Sequence, residues 1–127
     1  MRKSGILLPV SSLPSRYGIG CFSKEAYEWV DFLKLAGQQY WQLLPICPTS
    51  YGDSPYQSFS TFAGNPYFID LDLLASEGLL DKKEYVSVNW GDDVSRIDYG
   101  RLYEQRYPVL KLAAKRFLEN EPEDFET

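Results

Sequence analysis

Apolar and polar positions along this chain switch between two periods. Residues 5–10 (Gly-Ile-Leu-Leu-Pro-Val) form a short, nearly continuous apolar run, the pattern of a strand buried on both faces. Farther on, Ala26, Val30, Leu33 and Ala36 recur at spacings of four, three and three, with Lys24, Glu28, Asp31 and Lys34 on the opposite side. That is an amphipathic helix. Ser23 is placed to cap its start, Glu25 and Lys34 suit the helix dipole, and Gly37 is placed to end it. Residues 40–46 (Tyr-Trp-Gln-Leu-Leu-Pro-Ile) read as a second strand bounded by Pro45 and Pro48. Strand, helix and strand in this order predict a βαβ unit with parallel strands and a right-handed crossover.

Beyond the second strand the pattern loosens. Residues 65–72 read as a short extended piece with Pro66 at its start, and residues 73–80 as a short helix interrupted by Gly78. Residues 86–90 suit either a strand or an irregular segment. Tyr103, Tyr107, Leu110, Ala114 and Phe117 repeat at helical spacing, and Pro108 inside that run predicts a kink or a helix starting near Arg106. A parallel sheet needs several strands and cover on both faces. Two strands and one crossover therefore read as the opening of a larger α/β fold.

In parallel α/β folds, ligands bind outside the carboxyl ends of the strands. The loops at residues 11–20 and 48–65 follow the two strands, so both should lie on that face. The second loop carries Tyr51-Gly52-Asp53-Ser54-Pro55-Tyr56-Gln57, two rings, a carboxylate, a hydroxyl and an amide around a Gly/Pro turn. Flat rings beside short polar groups suit a sugar, with C–H faces to stack and hydroxyls to bond. An aromatic turn covering a core uses the same residues. Asp53 is the leading polar candidate, although an Asp after Gly also closes Asx-turns. Phe59 and Phe62 lack a polar edge and are expected to pack beneath the loop, so losing Phe59 should cost stability and losing Tyr56 should cost binding.

Other motifs carry less. Asp70 and Asp72 would point the same way on a strand, as a glycosidase carboxylate pair does, but acids there more simply cap the following helix. Gly18-Ile19-Gly20 before a helix resembles a phosphate loop superficially. Ser23 stands where a third glycine belongs and no Lys-Ser/Thr follows, so the segment reads as a tight turn.

Composition narrows the class. The 127 residues are 44% hydrophobic and 24% charged, the balance of a soluble globular protein. The net charge of −5 comes from Glu119, Glu121, Glu123, Asp124 and Glu126, without which acids and bases are equal at 13 each. No basic patch suggests nucleic acid. No apolar run matches a membrane span or a signal peptide, so a cytoplasmic location is expected. Cys21 and Cys47 are too few for a disulfide scaffold and read as reduced thiols, although two cysteines can in principle pair. Histidine is absent, which excludes Ser-His or Cys-His nucleophiles and imidazole zinc sites within these residues.

Four stretches together resemble the start of the 4-α-glucanotransferases, the amylomaltase or disproportionating enzyme family. They are residues 4–15 (SGILLPVSSLPS) with 17–20 (YGIG), 36–48 (AGQQYWQLLPICP), 51–58 (YGDSPYQS) and 63–72 (AGNPYFIDLD). They stand in the family's order and spacing; from Leu80 onward the resemblance is loose. It implies an α/β fold, the N-terminal part of a TIM (β/α)8 barrel with an inserted subdomain. Residues 1–80 would hold the first βαβ and the substrate loop, and residues 81–127 would begin the inserted, mostly helical subdomain. A barrel needs ~250 residues, so it is incomplete here.

The resemblance also implies an activity: transfer of an α-1,4-glucan segment from one chain to the 4-hydroxyl of another. The family is a retaining one. An Asp forms the covalent glycosyl bond as the bond to the leaving sugar breaks, while a Glu protonates that sugar and later takes the acceptor's proton. A further Asp stabilises the distorted donor. These three carboxylates lie downstream in the family and nothing here matches their motifs, so no catalytic residue is assigned to this chain. Substrate binding does carry over. By this resemblance Tyr56 would stack on the donor glucose, Ser54 and Asp53 would bond to it or shape the loop, Tyr51 would contact glucan outside the cleft, and Asn65 would be structural. The implied partners are α-1,4-glucans and malto-oligosaccharides, without organic cofactor, catalytic metal, nucleic acid or membrane. A stand-alone carbohydrate-binding module, or a glycoside hydrolase on the same barrel, remains the alternative. By itself the chain is expected to be inactive and weakly stable, because two barrel strands leave open edges.

Overall fold

A computed structural model describes residues 1–49 and 52–120. They divide between two compact units, Met1–Asp70 and Leu71–Thr127. No helix among the described residues is long and apolar enough to cross a membrane.

In the first unit, β1 (Gly5–Leu7) pairs in parallel with β2 (Tyr40–Gln42), in the register Gly5 to Tyr40, Ile6 to Trp41 and Leu7 to Gln42. The helix α1 (Lys24–Leu35) lies between them in sequence, so the predicted βαβ order holds. Both strands are shorter than their apolar runs. After the Leu8 N–H donates to the Gln42 carbonyl at 3.0 Å, Pro9 has no N–H to continue the ladder, and the chain enters a 3-10 turn at Val10–Ser12. Gly5 has a steric reason: a Cβ there would lie 2.6 Å from the Tyr40 carbonyl oxygen.

Within these residues the strand pair is not covered on both faces, and Ile6 and Leu7 are exposed. A two-stranded pair with one crossover helix has no further layer to cover it. The core lies instead where the strands end: Val10, Leu13 and Ala26 are buried, with Leu8, Trp29, Trp41, Leu43 and Phe68 packed against them.

The ends of α1 follow the sequence. Ser23 has the extended backbone of an N-cap, but its hydroxyl donates to Glu25 Oε2 at 2.7 Å and caps no backbone group. Gly37 is left-handed (φ +73°), its N–H meets the Lys34 carbonyl at 3.1 Å, and the Gln38 N–H meets that of Leu33 at 2.9 Å. This pair of bonds is a Schellman motif. The buried stripe departs from the prediction. Ala26 and Leu33 are buried and Trp29 joins them, whereas Val30 and Ala36 are exposed. Both stripes fit the helical period, and the bulk of Trp29 takes the inward position.

The second unit begins with α2 (Leu71–Ser76), which starts and ends earlier than the predicted 73–80. Left-handed Gly78 stops it: the Gly78 N–H reaches the Ala75 carbonyl at 3.1 Å and the Leu79 N–H that of Leu74 at 3.0 Å. Leu71, Leu80, Tyr85 and Trp90 are buried. Tyr85 donates its hydroxyl to Asp72 Oδ1 at 2.7 Å, and Trp90 Nε1 donates to the Tyr85 carbonyl at 3.0 Å. Residues 86–90 are irregular, one of the two predicted options.

One helical run closes the unit: α3 (Tyr99–Arg101), a π turn (Leu102–Arg106) and α4 (Tyr107–Glu119). Pro108 lacks the N–H that a regular helix aims at the Glu104 carbonyl, and the π turn falls where that bond is missing. The buried stripe is Leu102, Arg106, Val109 and Ala113, and Tyr103 and Ala114 are exposed, correcting the predicted phase. The guanidinium of Arg106 lies 5.8 Å from the centre of the Trp90 ring. An apolar pattern cannot register a buried arginine. Arg116 in α4 grips Glu84 through two bonds of 2.6 and 2.8 Å and the Leu79 carbonyl at 3.1 Å. That contact holds the Glu84 carboxyl below its ordinary range.

Candidate functional site

Parallel pairing sends both loops out from the same end of the strands, as predicted. They are built differently. Loop 11–20 is a packed platform, with Leu13, Tyr17 and Ile19 buried and the Gly20 N–H bonded to the Ser11 carbonyl at 3.1 Å. A Cβ on Gly20 would meet the Val10 carbonyl oxygen at 2.2 Å, so glycine is required by close approach. The Gly20 and Ser23 N–H groups are committed to Ser11 and Cys21 carbonyls, which fits the tight-turn reading of Gly18-Ile19-Gly20.

The second loop leaves β2 and returns to its own base, where the Asn65 N–H donates to the Ile46 carbonyl at 2.8 Å. Gly52 (φ +91°) and Asp53 (φ +55°) are both left-handed. Aspartate tolerates that region better than most side chains, and Thr49 Oγ1 donates to Asp53 Oδ1 at 3.3 Å. Ser54 then holds a turn around Pro55. Its carbonyl accepts from the Gln57 N–H at 3.1 Å, and its hydroxyl accepts from the Tyr56 N–H at 3.3 Å. Tyr56 leaves this turn 72% exposed. Asp53, Ser54 and Tyr56 therefore share one turn, and Tyr51 lies outside the described residues.

The phenylalanines correct the sequence reading. Phe59 is 75% exposed and Phe62 100% exposed, so neither packs beneath the loop. The Ser58 hydroxyl bonds to the Ser60 carbonyl at 2.7 Å, the Ala63 N–H to Ser60 Oγ at 3.2 Å, and Cys47 Sγ to the Thr61 carbonyl at 3.6 Å. The segment is tied to itself through the serines and to Cys47 at the base of the loop. Tyr67 and Phe68 are the aromatics that pack inward, and Phe68 meets Phe22 edge to face at 6.2 Å.

Residues 65–72 are not extended. Asn65 caps a 3-10 turn at Pro66–Phe68, its Oδ1 accepting from the Tyr67 N–H at 2.9 Å. Asp70 immediately precedes α2 and Asp72 sits in its first turn, so the two do not share a strand face. Neither cysteine is in a disulfide. Sequence reasoning missed Thr49, and it took Asn65 as structural without locating the neighbours it grips. Asn-Pro at residues 65 and 66 was a usable signal, since it favours turn initiation.

A family model described as 4-alpha-glucanotransferase matches residues 8–127. The chain belongs to the 4-alpha-glucanotransferase family. It is 54% identical over 126 residues to the 4-alpha-glucanotransferase of Streptococcus pneumoniae serotype 4, covering 98% of this chain and 25% of that protein. To the Thermus thermophilus 4-alpha-glucanotransferase it is 49% identical, covering 98% of this chain and 24% of the relative. Among solved structures it is similar to the amylomaltase from Streptococcus agalactiae in complex with acarbose. That match has a TM-score of 0.92 and 50% identity, over 95% of this chain and 24% of that one. The chain thus spans about a quarter of the length of the 4-alpha-glucanotransferases it matches.

Proposed function

We propose that the complete protein transfers α-1,4-glucan segments between malto-oligosaccharides by a retaining glycosyl-enzyme mechanism, in the cytoplasm. These residues would supply substrate-binding loops and no catalytic carboxylate. In this reading β1 and β2 are the first two strands of a (β/α)8 barrel, and residues 81–127 begin an inserted, mostly helical subdomain. One observation carries the proposal: within a 4-alpha-glucanotransferase chain, Tyr56 stands 72% exposed on a hydrogen-bonded turn at the carboxyl ends of parallel strands. Its ring would stack on the donor glucose. Asp53 and Ser54 would shape the turn or bond the sugar, and Tyr51 would meet glucan beyond the cleft.

The complete enzyme is to be incubated with maltotriose and the products sized. Longer oligomers plus glucose are the expected result, and only shorter sugars would replace transfer by hydrolysis. Tyr56→Ala should raise KM for the donor about tenfold, consistent with an aromatic contact worth ~1 kcal/mol or slightly more. Residues 1–127 alone should give no products.

A further inference from the structure

The turn that begins at Asn65 joins three segments of the first unit. Its backbone N–H reaches the Ile46 carbonyl at 2.8 Å, just beyond β2. Its side-chain Oδ1 accepts from the Tyr67 N–H at 2.9 Å, and its carbonyl accepts from the Phe68 N–H at 3.1 Å. The Phe68 carbonyl in turn accepts from the Phe22 N–H at 3.0 Å, where loop 11–20 passes into α1. Asn65 itself is 7% exposed. Buried, hydrogen-bonded polar side chains fix geometry, because losing the acceptor strands a buried donor. By contrast, residues 52–64, which carry Tyr56, are largely exposed.

We propose that Asn65 is a positioning residue for substrate. Through the turn it caps, it fixes the base of the loop bearing Tyr56 against the end of β2 and the start of α1. The inference rests on the reading of Tyr56 as a glucan contact. Asn65 touches no sugar in this account and acts through the Tyr56 loop. Without its side-chain acceptor, the turn no longer holds Asn65 N–H and Phe68 in register, and the loop loses one of its two fixed ends.

The test uses the complete enzyme carrying Asn65→Ala, Asn65→Asp, Tyr56→Ala and the Tyr56→Ala/Asn65→Ala double variant. Asparagine-to-aspartate keeps the oxygen that accepts from Tyr67. Asn65→Ala should raise donor KM about fivefold to tenfold with kcat within about twofold, and Asn65→Asp should restore KM to within about threefold. The double variant should resemble Tyr56→Ala alone, because the two act as one unit. Chymotrypsin should cut after Tyr56, Phe59 or Phe62 several-fold faster in Asn65→Ala than in the parent or Asn65→Asp. Effects that multiply, or a lower Tm with unchanged KM, would overturn the proposal. If Asn65→Ala does not fold, Asn65→Asp and Asn65→Ser decide it, since Asp should hold the loop and the shorter serine should release it to protease. If Tyr56→Ala leaves KM unchanged, the glucan reading falls. Proteolysis then judges Asn65 alone: faster cutting upholds its hold on the loop, and equal cutting removes it.

Discussion

At the scale of single residues, the most demanding position is a glycine in the packed platform. The three atoms nearest to a Gly20 Cβ all belong to backbone: the Val10 carbonyl oxygen at 2.2 Å and the Leu13 N and O at 2.7 Å. Backbone in a hydrogen-bonded turn cannot step aside as a side chain can. Gly20→Ala is expected to destabilise the protein by about 3 kcal/mol or more, at the upper end of overpacking costs. Gly37→Ala supplies the comparison. It is left-handed but meets nothing within 4 Å, so only the conformational cost of about 1–2 kcal/mol applies. Urea unfolding midpoints of the two variants check the ranking. Such residues show how far the sequence is legible. Gly37 could be read because a helix end is decided by its own few residues. Gly20 could be recognised as a turn residue, but its neighbours Val10 and Leu13 come from an earlier turn that composition does not locate. Phe59 and Phe62 were misplaced for a related reason. Their apolar rings suggested burial, whereas the segment bonds to itself through Ser58 and Ser60 and leaves both rings exposed.

At the scale of elements, order and type were legible and rotation was not. The βαβ unit followed from the change of apolar period, and the parallel register bears it out. Which stripe of α1 or α4 faces inward depends on the element it meets, so Trp29 and Arg106 displaced the predicted stripes. Residues 65–72 looked extended because Tyr67, Phe68 and Ile69 suit strands and Pro66 can start one, but the Asn65 side chain satisfies the turn's N–H locally. The contact between α4 and the 3-10 turn at Lys82–Glu84 gives a pH prediction. The Arg116 bonds lower the Glu84 pKa in the folded protein. The stabilisation is therefore present above the ordinary glutamate value of 4.5 and is lost as pH falls below it toward the folded-state value. Glu84→Gln should remove part of the loss of Tm between neutral pH and pH 3, leaving a shallower acid slope than the parent. An equal slope in both proteins would show that the bond does not survive in solution.

At the scale of the molecule, the chain divides into its two compact units between Asp70 and Leu71. Tyr85 to Asp72 and Arg116 to Leu79 explain why α2 and the residues after it go with the second unit. The strand pair leaves Ile6, Leu7 and Tyr40 exposed, and a two-stranded parallel pair has open edges. Residues 1–127 produced alone should therefore self-associate through those edges and melt broadly. A sharp, concentration-independent melt with monomeric mass would contradict this. The hydrogen bond between Ile46 and Asn65 has a different kind of consequence, one for divergence and engineering. A loop closed at its base is insensitive to its own length, since doubling a flexible loop adds only about 0.6 kcal/mol to the closure cost. The self-bonded stretch from Ser58 to Ala63 is thus an insertion point. Residues inserted there should leave the turn carrying Tyr56, which Ser54 holds through its own bonds, in place.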